Sequence, residues 1–279
     1  MTVLVTGATG TVGRDLVDLL LAKGEQVRAL TRDPAKANLP DKAEVVAGDL
    51  GDAAALPALL DGVEKAFLFI GPDHGTEFAE AAAQAGLKQV VVLSSFTVTM
   101  DWPSVPNFIR MHHEVAEKAL TDAGVPATFL RPSGFDYNIL QWTGALRSQG
   151  VVRAPFADAA LPLIHPRDIA DAAAIVLTEP GHDGKAYILT GPEALTPARQ
   201  TTLIADALGI PTRYEELSTE EAAEVLRGMG HLPEMLVPSV LEVLGPEAAA
   251  LPVSLASEEL TGRPARTFRQ WVQENADRF

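Results

Sequence analysis

Three glycines near the start of the chain have the spacing of a nucleotide-binding turn. The apolar run at 3–5 is followed by glycines at positions 7, 10 and 13 and then by an amphipathic segment. A short strand that leads through spaced glycines into a helix is typical of a βαβ unit that binds a dinucleotide. Gly7 would permit a tight turn, Gly10 would let backbone amides approach a pyrophosphate, and Gly13 would let the helix pack closely on the sheet. The first helical turn would offer unpaired amides and a partial positive charge to the phosphates.

A basic residue after the second predicted strand indicates which dinucleotide is bound. Arg32 directly follows the predicted strand Gln26–Thr31, and Lys36 lies one helical turn further on. An acidic side chain at this position binds the free 2′-hydroxyl of the adenosine ribose, whereas an arginine accommodates a 2′-phosphate. The sequence therefore predicts NADP in preference to NAD, with an ordinary surface charge as the alternative for Arg32. Asp33 leaves another alternative open, since a small rotation would bring its carboxylate to the ribose.

The ends of the other predicted strands supply further candidate contacts to the cofactor. In a parallel sheet the carboxyl ends meet at one edge, where a dinucleotide binds. The third strand ends just before Asp49, whose carboxylate would either reach the adenine amino group or cap the next helix. The predicted cofactor-binding residues are Gly7, Thr9, Gly10, Thr11, Val12, Gly13, Arg32, Lys36, Asp49, Leu50, Ile70, Gly71, Pro72, Ser94, Ser95, His113, Pro132 and Phe135.

The elements that would position these residues alternate along the chain. Short apolar runs alternate with amphipathic segments, which predicts an α/β fold with a Rossmann-type, doubly wound parallel sheet and helices on both faces. Strands are predicted at 3–5, 26–31, 44–47, 65–70, 89–93, 127–131, 161–165 and 185–190. Helices are predicted at 11–23, 53–60, 76–85, 107–123, 136–149, 166–178 and 196–208, with further short helices towards the end of the chain, among them an amphipathic one at 233–244.

The C-terminal third of the chain has a different composition. Eight of the twenty prolines fall between 192 and 264, which favours short helices joined by loops. We predict a Rossmann domain at 1–190 and a small, mostly helical C-terminal substrate lobe at 191–279 that does not fold independently. Residues 132–165 are expected to contribute to the cleft between the two.

Composition argues against several classes of function. The chain carries 22 Lys and Arg against 37 Asp and Glu, a net charge of −15, which repels nucleic acid and anionic membranes. It has no cysteine, so no thiolate nucleophile or cysteine-based metal site is available, and no metal site is predicted. No apolar run approaches the roughly 20 residues that span a bilayer, and no leader segment is expected. We therefore expect a cytoplasmic protein with a small-molecule substrate and neither a nucleic-acid nor a membrane partner.

Taken together, these motifs resemble the NmrA-like group of atypical short-chain dehydrogenases/reductases. The resemblance implies a Rossmann domain with a small C-terminal lobe, NADP binding and a substrate cleft between the two. It also implies a choice of function, because members include quinone and triphenylmethane-dye reductases as well as catalytically silent NADP sensors that regulate other proteins. A lyase or isomerase that keeps NADP as a scaffold is a third alternative, and a homodimer or a regulatory protein partner is expected. The segments that carry the resemblance are 6–13, 27–34, 48–50, 94–95, 130–132 with Phe135 and Asn138, and 260–264.

The helix after the fifth strand lacks the proton donor of standard short-chain dehydrogenases, which use a Tyr-x-x-x-Lys pair. Relatives place a lysine, or sometimes a histidine, four residues before the glutamate that matches Glu117. In this chain that residue is His113, and Ile109 stands where the tyrosine would be. His113 is thus the candidate catalytic residue, able to hydrogen-bond the ribose or donate a proton, with Glu117 on the same helix face to orient it or raise its pKa. The alternative is a surface histidine in an ion pair with Glu117.

A hydride acceptor that needs no positioned acid suits such a helix. Reduction of a quinone gives a hydroquinone anion stable enough to take its proton from water, so the enzyme mainly has to bring the reactants together. We predict an NADPH-dependent oxidoreductase that transfers hydride to a quinone-like or conjugated electrophilic small molecule held in an apolar slot. The aromatic residues that could form the slot, or simply pack in the core, are Phe69, Phe96, Phe135, Tyr137 and Trp142.

Overall fold

A parallel β-sheet forms the centre of the molecule. The structure is a computed structural model that describes residues 1–71, 75–102, 107–230 and 232–279. Seven strands of the described residues form one sheet in the order β3-β2-β1-β4-β5-β6-β8, and β7 pairs with β9. This order confirms the predicted doubly wound fold. The strands are β1 (Thr2–Val5), β2 (Gln26–Thr31), β3 (Glu44–Ala47), β4 (Lys65–Phe69), β5 (Gln89–Leu93), β6 (Ala127–Pro132), β7 (Val151–Ala154), β8 (Ala186–Leu189) and β9 (Arg213–Glu216).

Helices cover both faces of the sheet. The central strand β5 is buried at every position, as expected for a strand with helices above and below it. The helices are α1 (Gly13–Ala22), α2 (Leu56–Leu60), α3 (Thr76–Ala85), α4 (Phe108–Asp122), α5 (Thr143–Gln149), α6 (Pro166–Thr178), α7 (Pro197–Leu208), α8 (Thr219–Gly228), α9 (Val237–Leu244), α10 (Pro246–Ala249), α11 (Ala256–Thr261) and α12 (Phe268–Glu274).

Apolar stripes on the helices make the two halves of the core. On one face α1 contributes Leu16 and Leu20, which pack with Ile169 of α6. On the other face α3 contributes Phe78 and α4 contributes Leu120. These positions follow the helical period read from the sequence, so burial of the apolar stripe fixes how each helix lies on the sheet.

Side-chain caps begin the helices where the sequence predicts them. The Asn107 side chain accepts a hydrogen bond from the amide of Arg110, which starts α4. Thr196 starts α7 in the same way, and Ser218 and Thr267 each form a complete capping box. A capping side chain satisfies an amide that has no partner within its own helix, so each cap fixes where its helix starts.

Four local predictions differ from the structure. The helix predicted at 53–60 begins with the 3₁₀ helix Ala53–Ala55 before α2. The strand predicted at 161–165 forms only isolated bridges, Phe135 to Ile164 and Leu161 to Leu195, because Pro162 has no amide hydrogen for a ladder. The helix predicted at 136–149 is a 3₁₀ helix, Asp136–Trp142, followed by α5. The segment predicted as a helix at 233–244 likewise opens with the short 3₁₀ helix Glu234–Leu236 before α9.

The C-terminal lobe shares a core with the segment after β6. Ile139 and Val152 pack with Ile204 of α7 and with Phe268 and Trp271 of α12. The pairing of β7 with β9 joins the same two parts of the chain. These contacts agree with the expectation that the lobe does not fold alone, which stays a prediction together with its boundary at residue 190.

Candidate active site

The loop between β1 and α1 is shaped by glycines at two positions. Gly7 has a φ of +61°, in the left-handed region that glycine adopts readily. A Cβ atom on Gly13 would lie 2.2 Å from the carbonyl oxygen of Gly7, so the helix can approach the loop this closely only because Gly13 has no side chain. The amide of Gly10 donates to the same Gly7 oxygen over 2.9 Å, which closes the turn.

Two backbone amides at the start of α1 have no partner among the described residues. The helix begins at Gly13 rather than at Thr11, so Thr11 and Val12 precede it. Their amides make no hydrogen bond to any residue that the structure describes. Unpaired amides at a helix N-terminus bind anions. Together with the space kept open by the glycines, they fit a dinucleotide pyrophosphate.

Arg32 is exposed beside this loop and is available to bind a ligand. It makes no hydrogen bond or ion pair within the described parts of the chain. By contrast, the ammonium group of Lys36 lies 2.9 Å from the carboxylate of Asp33. Asp33 therefore already has a partner, which favours Arg32 over Asp33 for the ribose, and Lys36 is the weaker candidate for a phosphate contact.

After β3 and β4, the apolar residues can offer a ligand only their backbone groups. Asp49 accepts a hydrogen bond from the amide of Gly51 over 3.0 Å, so its carboxylate closes a turn and does not cap the next helix. The side chains of Leu50 and Ile70 are buried in the core, which leaves their backbone for a ligand. Gly71 follows Ile70 at the same edge, and Pro72 lies outside the described residues.

The two serines after β5 have engaged hydroxyl groups. Ser94 donates to the carboxylate of Glu117 over 2.6 Å. Ser95 accepts from the amide of Thr97 and so caps the short 3₁₀ helix that follows. Both side chains are buried, so the serines shape the edge of the sheet, as the buried Pro132 does at the end of β6.

His113 has a different environment from the one the sequence suggests. Glu117 was expected to orient it and raise its pKa, yet no hydrogen bond or ion pair joins these two described residues, because Glu117 binds Arg131 and Ser94. Burial, with a smaller contribution from His112, lowers the pKa of His113 to about 3. Its Nδ1 atom is buried and has no partner among the described residues. His113 is therefore an uncharged imidazole at neutral pH, and the ion-pair alternative is also wrong.

An apolar cavity of about 270 Å³ opens between the sheet and the C-terminal lobe. Phe96 and Trp142 line it, as predicted for the slot. The other three aromatics lie elsewhere. Tyr137 lies under the Arg278 guanidinium, 4.8 Å from its ring centre, Phe135 packs against the core, and Phe69 contacts Gly7 at the end of β4 with 56% of its surface exposed.

Within the described ranges, no three histidine or acidic side chains come close enough to hold a metal ion. Those ranges also contain no helix with the length and apolar character needed to cross a bilayer.

The carboxyl edge of the sheet is suited to bind a nucleotide, and an apolar cavity lies beside it. Comparison with known proteins identifies the family. The NmrA-like family model matches residues 1–245. The chain belongs to the NmrA-like family.

Relatives of this NmrA-like protein include reductases of several small molecules. It is 41% identical to the (4-alkanoyl-5-oxo-2,5-dihydrofuran-3-yl)methyl phosphate reductase of Streptomyces griseus, over 99% of both chains. It is 34% identical to the NAD(P)H azoreductase of Xenophilus azovorans, again over 99% of both chains. The NADPH complex of a quinone oxidoreductase from Escherichia coli superposes with a TM-score of 0.84 at 29% identity, covering 98% of this chain and 99% of the other.

Two features of this NmrA-like site were missed in the sequence. Arg131 is the partner of Glu117, and nothing local to either residue indicates a pair formed between α4 and β6. The C-terminal lobe lines the cavity as expected, but the residues that do so, such as Leu226 of α8 and Leu241 of α9, were not named from the sequence. The helical spacing of Ala222, Leu226 and Met229 in the sequence is the signal that could have indicated this wall.

Proposed function

We propose that this NmrA-like protein is an NADPH-dependent reductase of quinones or similarly conjugated electrophiles. The protein is an oxidoreductase that acts with NADP(H), and its substrate class is the subject of the proposal. When bound, NADPH supplies a hydride. The chain's own residues bind the nucleotide, place an acceptor next to it and exclude water.

The position of the cavity carries the proposal. Phe96 lines the cavity and directly follows Ser95 after β5. Ser133 and Gly134 also line it and directly follow Pro132, the last residue of β6. The cavity therefore begins where the predicted nucleotide contacts end, which is the arrangement that hydride transfer requires.

The described residues of the cavity wall include no acid, which favours particular acceptors. Helix α4 contains no tyrosine, and His113, with its pKa lowered to about 3, holds no acidic proton at neutral pH. A quinone takes up one hydride and one proton to give a hydroquinone, and the proton can come from water because the anion formed first is stable. A simple ketone gives a strongly basic alkoxide, which needs an acid beside it.

Residues of the nucleotide edge have distinct roles in the proposal. The amides of Thr11 and Val12 bind the pyrophosphate, and Gly13 keeps the helix close enough for them to do so. The free guanidinium of Arg32 binds the 2′-phosphate in a charge-assisted contact. His113 donates an N–H hydrogen bond to the nicotinamide ribose rather than a proton to the substrate.

The named relatives support an electrophilic, conjugated substrate. The Streptomyces griseus enzyme is named as the reductase of an alkanoyl-substituted dihydrofuranone that carries a methyl phosphate group, and the other relative is named as an azoreductase. The chain also has no cysteine that a quinone could alkylate. The sensor alternative has no support from these relatives, since each is named for a reduction. A homodimer and a regulatory partner stay predictions.

Steady-state oxidation of NADPH with a panel of acceptors tests the substrate class. We expect turnover with 2-methyl-1,4-naphthoquinone and with an acyl-substituted butenolide, and little with cyclohexanone. Turnover of cyclohexanone at a comparable rate would contradict the proposal, because it would require an acid that the described residues of the cavity wall do not provide. Bound NADPH with no turnover of any acceptor would favour the sensor.

A further inference from the structure

The part of the cavity wall that the C-terminal lobe supplies is apolar. It includes Ala222 and Leu226 of α8 together with Leu241 and Leu244 of α9. We infer that this wall binds an unbranched alkyl or acyl chain carried by the substrate, with the reducible group held beside the wall residues that follow β5 and β6. The inference rests on the proposed function for that reducible group.

Two polar side chains inside the cavity are already bonded to the protein. Ser133 donates its hydroxyl to the carbonyl oxygen of Pro162 over 2.5 Å. Gln200 is buried and donates its side-chain amide to the carbonyl of Leu195 over 3.2 Å. These bonds use the Ser133 hydroxyl hydrogen and one Gln200 amide hydrogen. The two side chains therefore make a reduced demand for a polar ligand, which suits the cavity to hydrocarbon.

The charge of the arginine in the cavity wall is also balanced. Arg153 donates to the carboxylate of Glu215 over 2.8 Å and to the side chain of Gln149 over 2.8 Å. An anionic group on the substrate would have to compete with Glu215 for it. The remaining polar side chains in the wall, Asn138 and Gln141, are exposed. An uncharged chain therefore fits the interior better than a charged one does.

The cavity is larger than the space that a single aromatic ring requires. An apolar cavity of about 150 Å³ holds a benzene molecule, whereas this one measures about 270 Å³. Each methylene group moved from water into such a site contributes about 0.8 kcal/mol, or about fourfold in affinity. Chain length should therefore control affinity until the cavity is full.

Binding of 4-alkylresorcinols to the NADP⁺-loaded protein tests this without turnover, since these phenols accept no hydride. Calorimetric titration of a series from methyl to octyl should show about fourfold tighter binding per added carbon, followed by a plateau. Affinity that does not change with chain length would overturn the inference. Rates with 2-alkyl-1,4-naphthoquinones should show the same dependence in kcat/KM.

A variant that fills part of the cavity, compared with a matched control, tests where the alkyl chain binds. Ala222→Leu should weaken the binding of the compounds with the longest chains by at least tenfold and leave the affinity for the methyl compound unchanged. Glu224→Leu adds the same side chain at an exposed position of α8 outside the cavity wall, and should behave as the parent protein. Val225→Trp, at a wall position that is 49% exposed, provides a second filling variant that places no strain on the core.

The outcomes separate this inference from the proposed function. Turnover of the methyl quinone with no dependence on chain length would overturn the chain site and leave the reductase intact. Chain-dependent binding of resorcinols without quinone turnover would support the chain site and contradict the reductase. Loss of long-chain binding in both Ala222→Leu and Glu224→Leu would also overturn the assignment to this cavity.

Discussion

Glu117 and Arg131 form a two-point ion pair that joins α4 to the edge of the sheet. The Arg131 guanidinium donates to both carboxylate oxygens, over 2.9 and 2.5 Å, and Ser94 donates a third hydrogen bond over 2.6 Å. The two charged side chains are only 12% and 22% exposed. This network fixes the helix that carries His113, which lies one turn before Glu117, relative to the ends of β5 and β6.

Removing the charge of Glu117 should destabilise the protein. Glu117→Gln leaves the Arg131 charge partly buried and uncompensated, which should lower the free energy of unfolding by about 2–3 kcal/mol. Denaturant unfolding measures the change. Asp122→Asn is the control, because it breaks the exposed Lys118–Asp122 pair on the same helix and should cost less than about 0.5 kcal/mol. Equal decreases in the free energy of unfolding would show that the buried network contributes no more to stability than the exposed ion pair does.

Replacing Gly13 should weaken nucleotide binding. In Gly13→Ala the new Cβ atom would meet the Gly7 carbonyl at 2.2 Å, so the loop must move and its amides lose their positions. We expect at least a tenfold loss of NADPH affinity, measured by fluorescence titration. Gly228→Ala, in a helical position with open space around it, should stabilise the protein by about 0.5–1 kcal/mol. Unchanged affinity in Gly13→Ala would mean that the loop does not hold the pyrophosphate.

Arg32 should decide between the two nicotinamide coenzymes. Loss of one charge-assisted contact is worth about 1.5–3 kcal/mol, or about ten- to hundredfold in affinity. Arg32→Gln should therefore weaken NADPH binding by this factor and change NADH binding little. Lys23→Gln, which removes a charge at the far end of α1, should affect neither coenzyme. A parallel loss for NADPH and NADH would place Arg32 away from the 2′-phosphate.

The imidazole of His113, whose Nδ1 atom is buried, should make stability depend on pH. Its pKa falls from 6.5 in the unfolded chain to about 3 in the folded protein. As the pH drops below 6.5 the unfolded chain takes up a proton that the folded protein does not, so stability decreases. At about pH 5 this contribution amounts to about 2 kcal/mol. His113→Gln should lose less stability than the parent between pH 8 and pH 5, whereas parallel urea-unfolding profiles would refute the burial of a neutral ring.

The candidate nucleotide-binding residues could be predicted because their placement depends on interactions between residues that are close in the sequence. The spacing of Gly7, Gly10 and Gly13 determines a turn and a close helix approach within one βα unit, and parallel strands necessarily bring their carboxyl ends to one edge. Arg32 follows from the same reasoning, since it is placed by the end of a single strand. The structure agrees with these placements, and contact with the cofactor itself stays a prediction.

Interactions between distant segments could not be predicted in this way. Reasoning from helical spacing paired Glu117 with His113, but the stronger partner, Arg131, is on a neighbouring strand. The β7–β9 pair joins residues about sixty positions apart, and β9 reads Arg-Tyr-Glu-Glu, which has no apolar alternation to indicate a strand. Phe135 and Tyr137 were plausible as cavity-lining residues, since an aromatic side chain suits the wall of an apolar cavity as well as it suits a core. Only the packing in the folded protein decides which of these roles a residue has.

Single-turnover mixing of the NADPH-loaded protein with 2-methyl-1,4-naphthoquinone shows whether bound NADPH reduces a quinone. We predict that the absorbance of the reduced nicotinamide decays far faster than that of free NADPH with the same quinone, and that one hydroquinone forms for each NADPH bound. Persistence of the reduced nicotinamide, in a sample where titration shows NADPH to be bound, would mean that the protein is not a quinone reductase.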